Sequence, residues 1–205
     1  MVHRLIIFFI IFCANVHAQK FIKAVIFQHN GTQINCLASL PVMETSIRYK
    51  IDQNSKVQKM KSKDIKSVCF YLKGDKTFEI EYLRYTSVFE MNATMQDVFA
   101  AEWLEVLERG DMSLYFIQET SRSGQRKSFF YHYLVKRENE EYATEIAYVR
   151  YRNDFLIYRM EAGDYFSDAP EIERKIEYRE EGYSAKDIVN IVKEYNAFKK
   201  NVPKP

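Results

Sequence analysis

The sequence predicts an α+β fold: an antiparallel β-rich body, built as a hairpin meander or open barrel, followed by three short C-terminal helices. Three observations carry that expectation. Asn30-Gly31 sits between apolar runs at residues 21–27 and 33–37, Arg109-Gly110 divides a second pair at 103–107 and 112–117, and beyond Arg152 the apolar spacing changes from alternation to near-helical. A chain of 205 residues that is 47% hydrophobic and 28% charged has enough apolar material for one core with an appendage. The expected division is therefore residues 1–18 as a targeting segment, 19–152 as the β-rich domain, and 153–205 as a helical segment packed on it.

The first stretch reads as a signal peptide. His3 and Arg4 precede the apolar run 5–12, and Val16-His17-Ala18 puts a small residue at the cleavage position, so cleavage is expected after Ala18. The run is shorter than the roughly 20 residues a spanning helix needs, and no later stretch qualifies, so no transmembrane segment is expected in the mature chain. A lipid anchor on Cys13 is disfavoured because Phe12 occupies the place where a small residue is required. The implied location is the periplasm, the outer-membrane surface or the extracellular space.

Asn-Gly between apolar runs is a strong hairpin signal, because both residues accept the left-handed conformation of a type I′ turn. Pro41 then interrupts, residues 46–51 alternate with Ile47, Tyr49 and Ile51 inward, and Asp52 to Ser55 make a polar turn. Further strands are expected at 57–60, 65–72 and 77–85, the last entered through Gly74-Asp75. The hairpin about Arg109-Gly110 places Leu104 and Val106 on one face, with Trp103, Glu105 and Leu107 on the other. In its second arm Met112, Leu114 and Phe116 oppose Ser113, Tyr115 and Ile117. Apolar residues on both faces mark this hairpin as central to a sheet. Residues 95–108 also admit a helix, since Thr94 to Asp97 resembles a capping box and Val98, Phe99, Trp103, Val106 and Leu107 fall near helical spacing.

Beyond a loop at 121–125, residues 128–135 and 142–151 read as two more strands. Asp154 is then expected to cap a helix over 155–161. Asp168 is expected to cap a second, with Pro170 in its first turn and Ile172 and Ile176 one turn apart. Ser184 to Asp187 opens the third, where Ile188, Ile191, Val192, Tyr195 and Phe198 form one apolar stripe.

The chemistry-bearing residues are sparse. Six glycines stand isolated at element boundaries, so the clustered loops that cradle phosphates are missing, and no cofactor is expected. His29 and His132 are the histidines left after residue 18. Neither lies in a His-Glu-x-x-His pattern, no Cys-x-x-Cys occurs, and no metal site is expected. Gly-x-Ser-x-Gly is absent, and no catalytic residue can be named, although paired carboxylates stay open as an alternative. Cys36 and Cys69 form a candidate disulfide, permitted by export, or stay as two buried thiols. Tyr131, Tyr133 and Tyr148 are candidates for an aromatic binding face. Lysines 56, 59, 61, 63 and 66 read as a solvated edge that blocks strand pairing, and the near-neutral balance does not suggest a nucleic-acid partner.

The hairpin at 21–37, the segments Trp103-Leu104-Glu105-Val106-Leu107 and Gly110-Asp111-Met112-Ser113-Leu114-Tyr115, the run Tyr165-Phe166-Ser167-Asp168-Ala169-Pro170-Glu171, and Ile191-Val192-Lys193-Glu194-Tyr195-Asn196 together resemble a broad group of secreted proteins from Bacteroidetes bacteria. The resemblance spans nearly the whole chain and implies an exported β-rich protein, and it brings no catalytic residue. Ala169 stands where such proteins often carry Cys, which removes a C-terminal bridge. The functional expectation is a non-enzymatic envelope or extracellular binding or structural module, whose partner is an envelope component, a glycan or a protein. The alternative is a small carboxylate-dependent hydrolase acting on envelope or glycan material.

Overall fold

A computed structural model describes residues 20–41, 44–87, 97–123, 126–150, 156–158 and 162–201. Among these, eleven strands form one sheet. They are β1 (Phe21–Gln28), β2 (Gln33–Ser39), β3 (Ser46–Lys50), β4 (Gln58–Lys61), β5 (Ile65–Tyr71), β6 (Thr77–Ser87), β7 (Asp97–Glu108), β8 (Met112–Ser123), β9 (Arg126–Arg137), β10 (Ala143–Arg150) and β11 (Leu156–Tyr158). Their spatial order is β11-β10-β9-β8-β7-β6-β5-β1-β2-β3-β4. Two helices follow, α1 (Pro170–Glu177) and α2 (Ile188–Asn201).

This corrects the expected fold class. The protein is predominantly β, and the first of the three short helices is a strand: β11 pairs antiparallel with β10 through Ala147–Tyr158, Tyr148–Ile157 and Val149–Leu156. A run of three or four apolar residues carries no decisive period, and the unpaired edge of β10 offers it hydrogen bonds. Nor is the last helix short, since α2 runs for 14 residues. The strand alternative holds at 97–108; the expected cleavage after Ala18 lies outside the described residues.

The sheet also closes on itself. Besides its neighbours in sequence, β10 pairs with β6 in parallel, Ala143 against Tyr85 and Thr144 against Thr86. Strands β6 to β10 form an up-and-down ring of five, and an odd ring of alternating strands must bring one pair together pointing the same way. Tyr85, Leu104, Tyr115, Ile117, Leu134 and Ala143 fill the ring, with Leu83 and Val106 against them. Side chains fill a ring this small completely.

Two further cores flank it. Strands β1 to β6 curl around Ile26, Ile47, Ile65, Val68, Phe70 and Ile80. On the outer face of the ring, Met112, Leu114, Val135 and Ile146 meet Phe166, Ile172, Ile188, Ile191, Val192 and Tyr195 of the C-terminal segment. Strands β7 and β8 are thus apolar on both faces because both faces are covered.

Local turn chemistry departs from expectation at two glycines. In the β1–β2 connection only Gly31 is left-handed (φ 86°); Gly31 N–H donates to Gln28 O and Gln28 N–H to Thr32 O, the three-residue hairpin with a bulge instead of type I′. Gly110 has no positive φ. A Cβ there would lie 2.3–2.6 Å from the Asn196 side chain, so the glycine serves close approach of α2. Asn196 Nδ2 donates to Met112 O and its Oδ1 accepts from Met112 N–H, both at 2.9 Å, so a helix side chain substitutes for a strand partner.

The α1 cap also differs. Ala169 holds the N-cap position without a side-chain bond, and Pro170 opens the helix. Asp168 instead accepts hydrogen bonds from Tyr195 and Lys199 of α2. Ser184 and Asp187 do form the expected capping box at the turn that leads into α2.

Candidate binding site

The structure separates several residues that the sequence placed together. Cys36 lies opposite Ala24 and Cys69 opposite Val25 on the two sides of β1. Successive residues of β1 point to opposite faces, and two strand spacings of roughly 4.8 Å exceed the span of a disulfide. Both thiols are free; burial pushes Cys36 up to about 11 and also raises Cys69. Tyr131 and Tyr133 share the outer face of β9 with Phe116 of β8, whose ring centroid is 5.7 Å from Tyr131 and 5.4 Å from Tyr133. Tyr148 sits opposite His132 in register and therefore on the other face. The expected aromatic face of three tyrosines is two tyrosines and Phe116.

Several carboxylates are held by arginines. Glu79 and Glu81 project from one face of β6. Arg109 clasps both, Nη2 donating to Glu79 at 2.8 Å and Nη1 to Glu81 at 2.6 Å, and the Tyr115 hydroxyl donates to Glu81 at 3.1 Å. Arg137 joins Glu140, the Tyr165 carbonyl and Asp168, and it lies over the Tyr165 ring. Inside the ring, His132 Nδ1 and Glu145 Oε1 are 3.0 Å apart with both side chains almost wholly buried. Each cluster ties strands or helices to one another.

A different surface is open. The connection from β4 to β5 is a tight 3-10 turn, Ser62–Asp64, and the rolled N-terminal strands bring it beside two other segments. Ser62 N–H donates to Thr45 O at 3.0 Å, Gln28 Nε2 approaches Met60 Sδ at 3.2 Å, and Trp103 Nε1 donates to Glu44 O at 2.9 Å while stacking obliquely on Tyr82. These ties fix the walls of two adjoining hollows. One, of about 600 Å³, is lined by Thr45, Ser46, Ser62 and Tyr82 together with Lys59, Lys61 and Lys63. The other, of about 750 Å³, shares those three lysines and adds Gln28, His29, Asn30 and Asp64.

Alternation explains the lysines. Lys59 and Lys61, about 7 Å apart along the backbone of β4, point the same way, and Lys63 follows in the turn, so a lysine ridge borders both hollows. All three are exposed, and among the described residues none has a carboxylate within ion-pair distance. Ser62 is 1% exposed and its Oγ has no hydrogen-bond partner among the described residues. Sequence reasoning found the lysine run and assigned it to edge protection. It missed Ser62, which lies between Lys61 and Lys63, and Thr45 and Ser46, which join the lysines, as Tyr82 does, through the curl of the sheet.

Among the described residues no group of three or more His, Cys, Asp or Glu side chains is placed to hold a metal ion, and no helix is long and apolar enough to cross a membrane. No family model, curated protein or solved structure matches the chain.

Proposed function

We propose that this protein is an exported, non-enzymatic binding module of the cell envelope or extracellular space, and that its recognition surface is the lysine-bordered groove at the β4 edge. One observation carries this reading: three exposed ammonium groups without a carboxylate partner among the described residues, an aromatic ring and several hydroxyls converge on walls that backbone and side-chain hydrogen bonds hold in place. The backbone of the walls is already fixed before a ligand arrives, which favours recognition.

The same geometry weighs against the hydrolase alternative. A general acid must hold a proton near neutral pH. Glu79, Glu81, Glu140 and Asp168 instead are each ion-paired to Arg109 or Arg137. For Asp168, burial would raise the carboxyl, but hydrogen bonds from Tyr195 and Lys199 and the Arg137 charge leave it below the ordinary range.

Incubating the purified chain with isolated cell envelopes tests the reading. The protein is expected to sediment with envelope material and to release no reducing ends or peptides. Release of such products, abolished by Glu79→Gln or Glu140→Gln, would establish the hydrolase instead. Mass spectrometry of the envelope fraction should find a chain starting at Gln19; an intact Met1 in the cytoplasmic fraction would contradict export.

A further inference from the structure

We infer that the groove takes an anionic polysaccharide, a sugar chain carrying carboxylate or sulfate groups, with the lysine ridge on its charges and the Tyr82 and Ser62 wall on its rings and hydroxyls. This rests on the binding-module reading above and names the ligand of that same site.

Charge argues first. The chain as a whole carries a formal net charge of +2, so no broad positive field surrounds it. Lys59, Lys61 and Lys63 nevertheless gather on one ridge beside the hollows. Ridges of this kind recognise charges repeated along a line, because ammonium groups on flexible stems adjust to spacing where a fixed guanidinium fork would not. In a third hollow the charges are matched. The hollow beside the helices, about 560 Å³ and lined by Glu171, Arg174, Glu194 and Phe198, pairs Arg174 with Glu171 and Lys175 with Glu194.

The wall argues second. Ser62 lines the groove, and its Oγ, with almost no accessible surface, has no hydrogen-bond partner among the described residues, a burial that carries a cost. Tyr82 offers a ring and a hydroxyl on the same wall, the pairing of apolar body and polar tip that suits a sugar ring. Nucleic acid fits less well. Its single strands ask for successive aromatic platforms and benefit from arginine, and among the groove residues there is one aromatic and no arginine.

The test is equilibrium binding of the full chain to four probes, polygalacturonate, dextran sulfate, neutral dextran and a single-stranded oligonucleotide, over a range of salt. Polygalacturonate or dextran sulfate should bind and neutral dextran should not. The triple variant Lys59→Gln, Lys61→Gln, Lys63→Gln should lose about tenfold or more in affinity, since three exposed ion pairs of up to about 1 kcal/mol each multiply. Tyr82→Ala and Ser62→Ala should each weaken polygalacturonate binding severalfold, with far-ultraviolet circular dichroism unchanged. If the lysine variant weakens binding while the two wall variants do not, the patch is a simple ion exchanger and the polysaccharide assignment fails. Preference for the oligonucleotide also overturns it. Sedimentation with envelopes that persists unchanged in the triple variant keeps the binding module and refutes the groove; loss of envelope binding by every form of the protein refutes both.

Discussion

At the residue scale the protein spends its polar side chains on joining elements. Asn196 is the clearest case, since its amide replaces a missing strand partner for Met112 and leaves no room for a side chain at residue 110. Gly110→Ala is therefore expected to cost about 1–3 kcal/mol through overpacking, a drop in melting temperature of several degrees. Adding Asn196→Ala should recover part of that loss, because the two changes act on one contact; strict additivity in a thermal double-mutant cycle would contradict the contact. Asp168 makes a second residue-level prediction. Its folded-state pKa lies below the unfolded value, so its contribution to stability is full above about pH 4 and is lost as pH falls through the lowered pKa. Asp168→Asn should flatten the acid limb of a melting-temperature profile between roughly pH 5 and 2, and an unchanged slope would show that the Tyr195–Asp168–Lys199 ties contribute nothing.

At the scale of elements, α2 is part of the core. Ile188, Ile191, Val192 and Tyr195 are each at most 1% exposed, and burying such side chains contributes about 1.5–3 kcal/mol apiece. The sum rivals the whole stability of an ordinary domain. Deleting residues 184–205 is expected to abolish cooperative unfolding or cause aggregation, and a truncated chain with the same melting temperature would refute the docking. Element identity was legible where signals agreed. The two hairpins, at Asn30-Gly31 and Arg109-Gly110 with its faces, and the Ser184 capping box were legible from local signals, although both hairpin turns differ in their backbone chemistry. The strand at 156–158 was not legible, because its partner is the edge of β10 and a run so short has no readable period. The role of Gly110 was hidden for a related reason: its constraint comes from a side chain 86 positions later in the chain.

At the scale of the whole molecule, closure decides what the sequence concealed. Alternation predicted antiparallel strands in order, but the parallel pairing of β10 with β6 joins residues nearly 60 positions apart and has no local signature. The bulge between Glu145 and Ala147 puts Tyr148 on the face opposite Tyr131 and Tyr133, and the curl of the N-terminal strands carries the lysine ridge and Ser62 to Tyr82. The lysines alone read as an insulated edge, whereas with hydroxyls and an aromatic ring on the facing wall they read as a site. In the proposed division of labour, the acids of this protein hold the sheet together while the lysine groove meets the ligand. Amide chemical-shift mapping on the isotope-labelled chain, titrated with short polygalacturonate fragments, tests it directly. Shifts should cluster at Thr45, Ser46, residues 59–64 and Tyr82; shifts centred instead on Glu79, Glu81 and Arg109, or on Glu140 and Asp168, would contradict it.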